Sequence, residues 1–278
     1  MRATFDAHGH LCVGIDPHPY LLAQWGLPDT AEGAREFGLR VIEAVGGRAG
    51  IVKPQVAFFE RHGSAGFVAL EKVLGAARAS GLLVIADAKR GDIGSTAAAY
   101  GEAWLTPGSP LEADAMTISA FQGVGSLADP IRLALAAGKG LFVLAATSNP
   151  ESFALQTAFV QQGPRAGATV AASIVAEVNE SNGDARDSGT LGSCGVVIGA
   201  TVSLADYGLS AEDFSATPIL APGFGHQGAG FDAIERVYGA ASRNILVNSS
   251  RAILEAGPAD VAKAVSTQVR ELAKVYAA

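Results

Sequence analysis

Cysteine is almost missing from this 278-residue chain: Cys12 and Cys194 are the only two, too few and too far apart for a disulfide framework or a zinc quartet. A reducing, cytoplasmic setting is the default expectation. A surplus of positive charge is missing too, because 20 Lys and Arg stand against 27 Asp and Glu, for a formal net charge of −7. Polyanion binding needs a concentrated excess of cations, so no nucleic-acid partner is expected. Nor is there an unbroken apolar run of the ~20 residues that span a bilayer. The long uncharged stretch from Ser188 to Ala205 is interrupted by Ser, Thr and Gly, and the first ten residues carry Arg2 and Asp6, unlike a signal peptide. No membrane partner is expected.

What the chain does have is 49% hydrophobic against 17% charged residues, enough to fill a core and leave a wet surface, which excludes disorder of the whole. The 34 glycines follow no three-residue period, so they mark tight turns and close backbone approaches rather than a collagen.

Short apolar runs recur along the chain: Leu11 to Ile15, Gly50 to Val52, Leu82 to Ala86, Ala115 to Ile118, Leu141 to Ala145, Val196 to Ile198, Ile219 to Ala221 and Ile245 to Val247. Their apolarity is continuous rather than alternating, as in strands buried on both faces of a parallel sheet. Between them lie helical stripes such as Phe67, Leu70, Leu74 and Ala77, or Val261, Val265, Val269, Leu272 and Tyr276. Eight such units in a chain of this length predict an α/β fold, a (β/α)8 TIM barrel, as a single domain over residues 1–278. An open doubly wound sheet is the alternative. The polar cluster Asn179 to Ser193 reads as a long surface loop before strand six.

In such a barrel the chemistry sits where strands run out into the following loops. Strand one ends in Asp16, strand two in Lys53, strand three in Asp87-Ala88-Lys89-Arg90-Gly91-Asp92, strand four near Ser119, strand seven in Pro222 to Gly228 and strand eight in Asn248-Ser249-Ser250-Arg251. Asp87 and Lys89, two apart on an extended chain, are expected to emerge on one side. Together with Lys53 and Asp92 they would make an array of alternating charge, whose use is to keep Lys89 protonated as a proton donor. The Gly-rich stretch after strand seven and Arg251 after strand eight fall where barrels bind phosphate. The histidines lack metal-ligand spacing, the serines lack a GxSxG elbow, and Gly225 to Gly230 is no dinucleotide fingerprint. No metal and no cofactor are expected.

The stretch Asp87-Ala88-Lys89-Arg90-Gly91-Asp92-Ile93-Gly94-Ser95-Thr96 resembles the DxKxxDIxxT signature of the orotidine 5′-phosphate decarboxylase family. Gly14 to Pro19, Val52 to Phe59 and Ala146 to Pro150 resemble its longer bacterial branch. The resemblance implies decarboxylation of orotidine 5′-monophosphate to uridine 5′-monophosphate. It implies that Asp16 and Lys53 hold the ribose hydroxyls, Asp87 lies beside the substrate carboxylate, and Lys89 delivers the proton. Ser119 would bond the pyrimidine edge, Gln227 would belong to a closing phosphate loop, and Arg251 would grip phosphate. Asp92 and Thr96 would reach the neighbouring site of a homodimer. Where the family often has Pro-Tyr after strand four, this chain has Ala120-Phe121. Two other readings remain open at this level: a Mg²⁺-dependent sugar-phosphate β-keto-acid decarboxylase, which carries a carboxylate metal ligand where Lys53 stands here, and a non-catalytic barrel that binds a phosphorylated metabolite.

Overall fold

A computed structural model describes residues 1–225 and 228–277. Among them, eight strands follow one another in chain order around a closed barrel: β1 (Leu11–Ile15), β2 (Ile51–Pro54), β3 (Leu83–Arg90), β4 (Ala115–Ile118), β5 (Gly140–Ala146), β6 (Cys194–Ile198), β7 (Ile219–Pro222) and β8 (Ile245–Ser249). The pairings β1 with β2, β2 with β3, β5 with β6 and β6 with β7 are parallel. Every residue of β1, β2, β4, β6 and β8 is buried, which accounts for the continuous apolar runs that open them: a strand covered on both faces has no side to give to water.

All eight expected strands are present, with two instructive differences. The third runs on through Asp87 and Lys89 to Arg90, and Lys53 lies inside β2. Charge is therefore built into the ends of these strands and not only into the loops beyond. The segment expected as a loop from Asn179 to Ser193 is largely helical, finishing the helix Val170–Ser181 and adding a short one at Gly183–Asp187. Its polar residues are structural. The buried Asn182 donates through Nδ2 to the carbonyl of Cys194 at 2.6 Å and accepts from the Cys194 N–H at 3.1 Å. A side-chain amide that satisfies backbone groups in this way ties the helix end to the start of β6, a use that composition alone does not reveal.

By their internal contacts the residues form two compact units. One comprises Met1–Ala88, Ala103–Met116 and the chain from Asn248 onward; the other comprises Lys89–Glu102 and Thr117–Val247. In the first, Thr30 caps the helix Ala31–Val45 by accepting from the Gly33 N–H, and that helix buries Phe37, Val41 and Val45. The helix Gly63–Ala79 buries Leu70, Leu74 and Ala77, and the helix Gly257–Ala277 buries Val261, Val265 and Leu272, in the stripes their spacing predicts. In the second, Thr169 caps the helix Val170–Ser181, which buries Ala171, Val175 and Val178. No helix among the described residues is long and apolar enough to cross a membrane.

Candidate active site

The first unit holds Asp16, Lys53, Asp87 and Arg251. Lys53 lies level with Gly14 in the parallel register of β1 and β2, and its Nζ donates to Asp87 Oδ2 at 2.6 Å. Lys53 is 5% exposed and Asp87 8%, so this is a charged pair taken out of water, which is stable only while both members remain. Burial works against the Lys53 ammonium. The carboxylates of Asp87 and Asp16, with the hydrogen bond to Asp87, outweigh it and hold the lysine pKa above its usual range. Cys12, two residues before Gly14 on β1, is fully buried, and burial pushes its thiol up to about 12, so it stays protonated.

Asp16 follows β1 and accepts a 2.6 Å hydrogen bond from the Ser250 hydroxyl. The approach depends on Gly14: a Cβ there would stand 2.6 Å from Ser250 Cβ, so only glycine admits the chain after β8 at this distance. The other Asp16 oxygen, Oδ1, is buried with no hydrogen-bond partner, as are Asn248 Oδ1 and Ser249 Oγ at the end of β8. These are acceptors positioned and unspent. Arg251 opens the short helix Arg251–Leu254 immediately after Ser250. Nearby, the His18 ring packs against that of Phe58, with centroids 4.1 Å apart and planes tilted by 58°. Burial lowers the His18 pKa; Asp16 opposes this, while Arg251 and Arg61 add to it.

The second unit holds Lys89, Asp92, Thr96 and Ser119. Lys89 is exposed, and its backbone has φ +46. Its N–H donates to Thr117 Oγ1 at 3.0 Å. The next carbonyl, that of Arg90, accepts from the Ser119 N–H at 2.7 Å, and the Arg90 guanidinium lies 5.9 Å from the centre of the Tyr100 ring. Asp92 turns its carboxylate back to accept from the Ile93 N–H at 2.8 Å. Thr96 is exposed on the first turn of the helix Gly94–Leu105. The expected same-side emergence of Asp87 and Lys89 assumed an extended residue at 89; a positive φ breaks that alternation. Gln227 lies outside the described residues.

Two site residues had no sequence signal of their own. Ser250 was only the neighbour of Arg251, and Thr117 was one β-branched residue in an apolar run. Among the described residues, no group of three or more His, Cys, Asp and Glu side chains is placed to hold a metal ion.

A closed eight-stranded α/β barrel with ionisable side chains at the ends of its strands has the build of a barrel enzyme. Comparison with known proteins narrows the class. Residues 9–266 match the model of the orotidine 5′-phosphate decarboxylase / HUMPS family, and the chain belongs to that family. It is 47% identical over 262 residues to the orotidine 5′-phosphate decarboxylase of Salinispora tropica, covering 94% of this chain and 91% of that one. It is 48% identical over 259 residues to the protein of that name from Streptomyces coelicolor, covering 93% and 89%. In three dimensions it is similar to the crystal structure of a provisionally assigned orotidine 5′-phosphate decarboxylase from Streptomyces avermitilis. The TM-score is 0.91 at 45% identity, with 100% of this chain and 94% of the other covered.

Proposed function

We infer that this chain is a carboxy-lyase that converts orotidine 5′-monophosphate to uridine 5′-monophosphate and CO2, the last step of de novo UMP synthesis. The observation that carries the reading is the buried Lys53 to Asp87 pair at 2.6 Å. A fixed ammonium in β2 stands where the sugar-phosphate rival needs a carboxylate to hold Mg²⁺, and it would repel that ion. A barrel that only bound a phosphorylated metabolite would gain nothing from a charged pair whose burial is costly.

The chemistry assigned to each residue follows from charge. When CO2 leaves C6 of orotidylate, the electron pair of the broken bond stays on C6 as an sp² carbanion with no neighbouring sink. The Lys89 ammonium stabilises that charge and then transfers its proton to C6, and the neutral amine regains a proton from water. Asp87 faces the departing carboxylate. Asp16, with an unspent buried oxygen, and Lys53 receive the ribose hydroxyls. Ser119 bonds the pyrimidine edge, and Arg251 and Gln227 take the phosphate, whose binding energy favours closure around the substrate. The reading uses no cofactor, and turnover is expected to withstand EDTA.

The working form in this reading is a cytoplasmic homodimer of single-domain barrels, in which Asp92 and Thr96 serve the partner's site. Support comes from exposed large apolar side chains: Ile93, next to Asp92, is 60% exposed and Phe121, after β4, is 79% exposed. Mixing Lys89→Ala and Asp92→Asn proteins under subunit exchange should return about a quarter of wild-type activity, because half the dimers are mixed and each has one intact site. Verified exchange without recovery would reject the shared site.

The direct test is incubation with orotidine 5′-monophosphate while following the change from orotate to uracil absorbance. Formation of uridine 5′-monophosphate in EDTA is the expected result. Failure to turn over this substrate, or activity that requires Mg²⁺, would overturn the reading.

A further inference from the structure

We propose that Thr117 is a positioning residue for Lys89, holding its backbone in the left-handed conformation from which the ammonium is delivered. The inference rests on the reading of Lys89 as proton donor.

Among the described residues Lys89 is the one non-glycine residue with a positive φ, at +46; every other such position is a glycine. A lysine gains nothing locally from this region, because its Cβ crowds the following carbonyl. Such a conformation persists only where the surroundings impose it. At Lys89 they do so through β4. Thr117, 1% exposed within that strand, accepts the Lys89 N–H on Oγ1 at 3.0 Å. A β-branched side chain in a packed strand has little rotamer freedom, so its hydroxyl is a fixed acceptor.

The choice of a side-chain acceptor has a geometric reason. A pleated ladder presents its carbonyls at intervals that suit an extended neighbour, and a residue at φ +46 has left that pleat. A hydroxyl projecting from the next strand reaches the displaced N–H. One residue later the chains are joined again, with the Ser119 N–H donating to the Arg90 carbonyl at 2.7 Å. Gly91 then passes so close that a Cβ would lie 2.5 Å from the Ser119 carbonyl oxygen. These contacts make the exit from β3 a turn clamped at successive residues. Because Lys89 no longer follows the alternation of an extended strand, this clamp bears on the direction of its side chain, and Thr117 is a member that acts on Lys89 itself.

The test compares Thr117→Val, which keeps the shape and removes the acceptor, with Thr117→Ser, which keeps the acceptor. A misplacement of about an ångström at a reacting group costs on the order of 100-fold in rate. Thr117→Val is therefore expected to lower kcat by about 30- to 100-fold. KM for orotidine 5′-monophosphate and affinity for uridine 5′-monophosphate should stay within about threefold, since the group acts after binding. Thr117→Ser is expected to restore most of kcat. In a Lys89→Ala background, Thr117→Val should cause no further loss of residual decarboxylation, as expected of two residues acting as one unit. If the valine variant does not fold, Thr117→Cys, of similar shape and weak acceptor strength, is judged by the same kcat and KM split. If Lys89→Ala is inactive while Thr117→Val turns over at the wild-type rate, or if serine fails to rescue, the positioning role is rejected and the Lys89 reading stands. If Lys89→Ala itself stays active, the Lys89 reading fails first and the inference falls with it.

Discussion

Asp87 and Lys89 stand two residues apart on β3, and the molecule holds them by opposite means. Asp87 is buried and pinned through its side chain, by a 2.6 Å hydrogen bond from Lys53. Lys89 is exposed and held through its backbone, by the Thr117 hydroxyl at 3.0 Å and a left-handed φ. The contrast matches the roles proposed for the two groups. A carboxylate proposed as a fixed charge profits from a permanent partner in low dielectric. An ammonium proposed to give up its proton every cycle has to be recharged from water, and an exposed side chain on a fixed main chain suits that proposed task.

Replacing each group in turn probes that division, and the largest effect is expected at the donor. Lys89→Ala should lower kcat by about 100-fold or more, the typical cost of losing one well-placed electrostatic group, with melting temperature and product affinity little changed. More than about a tenth of wild-type turnover would remove Lys89 from the chemistry.

Lys53→Met should damage stability as well as activity, because it strands a buried carboxylate. Loss of one partner of a buried pair costs about 3–5 kcal/mol, measurable by urea unfolding at neutral pH. The pH dependence has a definite sign. The Lys53 pKa is raised in the folded state, so the lysine's contribution is complete below its ordinary 10.5 and is lost only as the pH climbs through the higher folded value. The gap in stability between wild type and Lys53→Met should therefore be present at neutral pH and narrow in strong alkali as Lys53 loses its proton. A gap that closed near neutrality would show that the ion pair is not its source.

Arg251→Ala should separate binding from chemistry. It should weaken use of orotidine 5′-monophosphate far more than use of orotidine without phosphate, and comparing both truncations isolates the coupling. Equal losses on the two substrates would place Arg251 elsewhere. The smallest effect belongs to His18, packed on Phe58 at 4.1 Å. Its folded pKa is depressed below the ordinary 6.5, chiefly by burial, so its contribution is present above pH 6.5 and is lost as pH falls through the folded pKa. His18→Asn should flatten the decline in melting temperature between about pH 7 and 5; an unchanged slope would assign that decline to other groups.

Much of the barrel was legible because its physical cause is local. Strands buried on both faces need continuous apolar residues, and the helices Gly63–Ala79 and Gly257–Ala277 carry their buried stripes at helical spacing. The segment from Asn179 was misread for a reason of the same kind in reverse: Asn182 has a loop residue's composition but spends its amide on the backbone of Cys194. At the site, the spacing of Asp87, Lys89 and Asp92 was visible, and so was the place of Lys53 near a strand end. The partners that hold them were not. Thr117 and Ser250 are ordinary residues until folding brings β4 beside Lys89 and the end of β8 beside Asp16.

The amino-acid sequence by itself determined the alternation of strands and helices and the charged residues at the strand ends, because periodicity and charge belong to neighbours along the chain. Only the tertiary structure decided that Lys53 pairs with Asp87 across 34 positions, that Gly14 makes room for Ser250 to reach Asp16, and that Lys89 sits at φ +46 near the end of its strand. Each of these is a contact between segments far apart in sequence or a strain such a contact sustains, and its energy depends on burial and distance that no local pattern records.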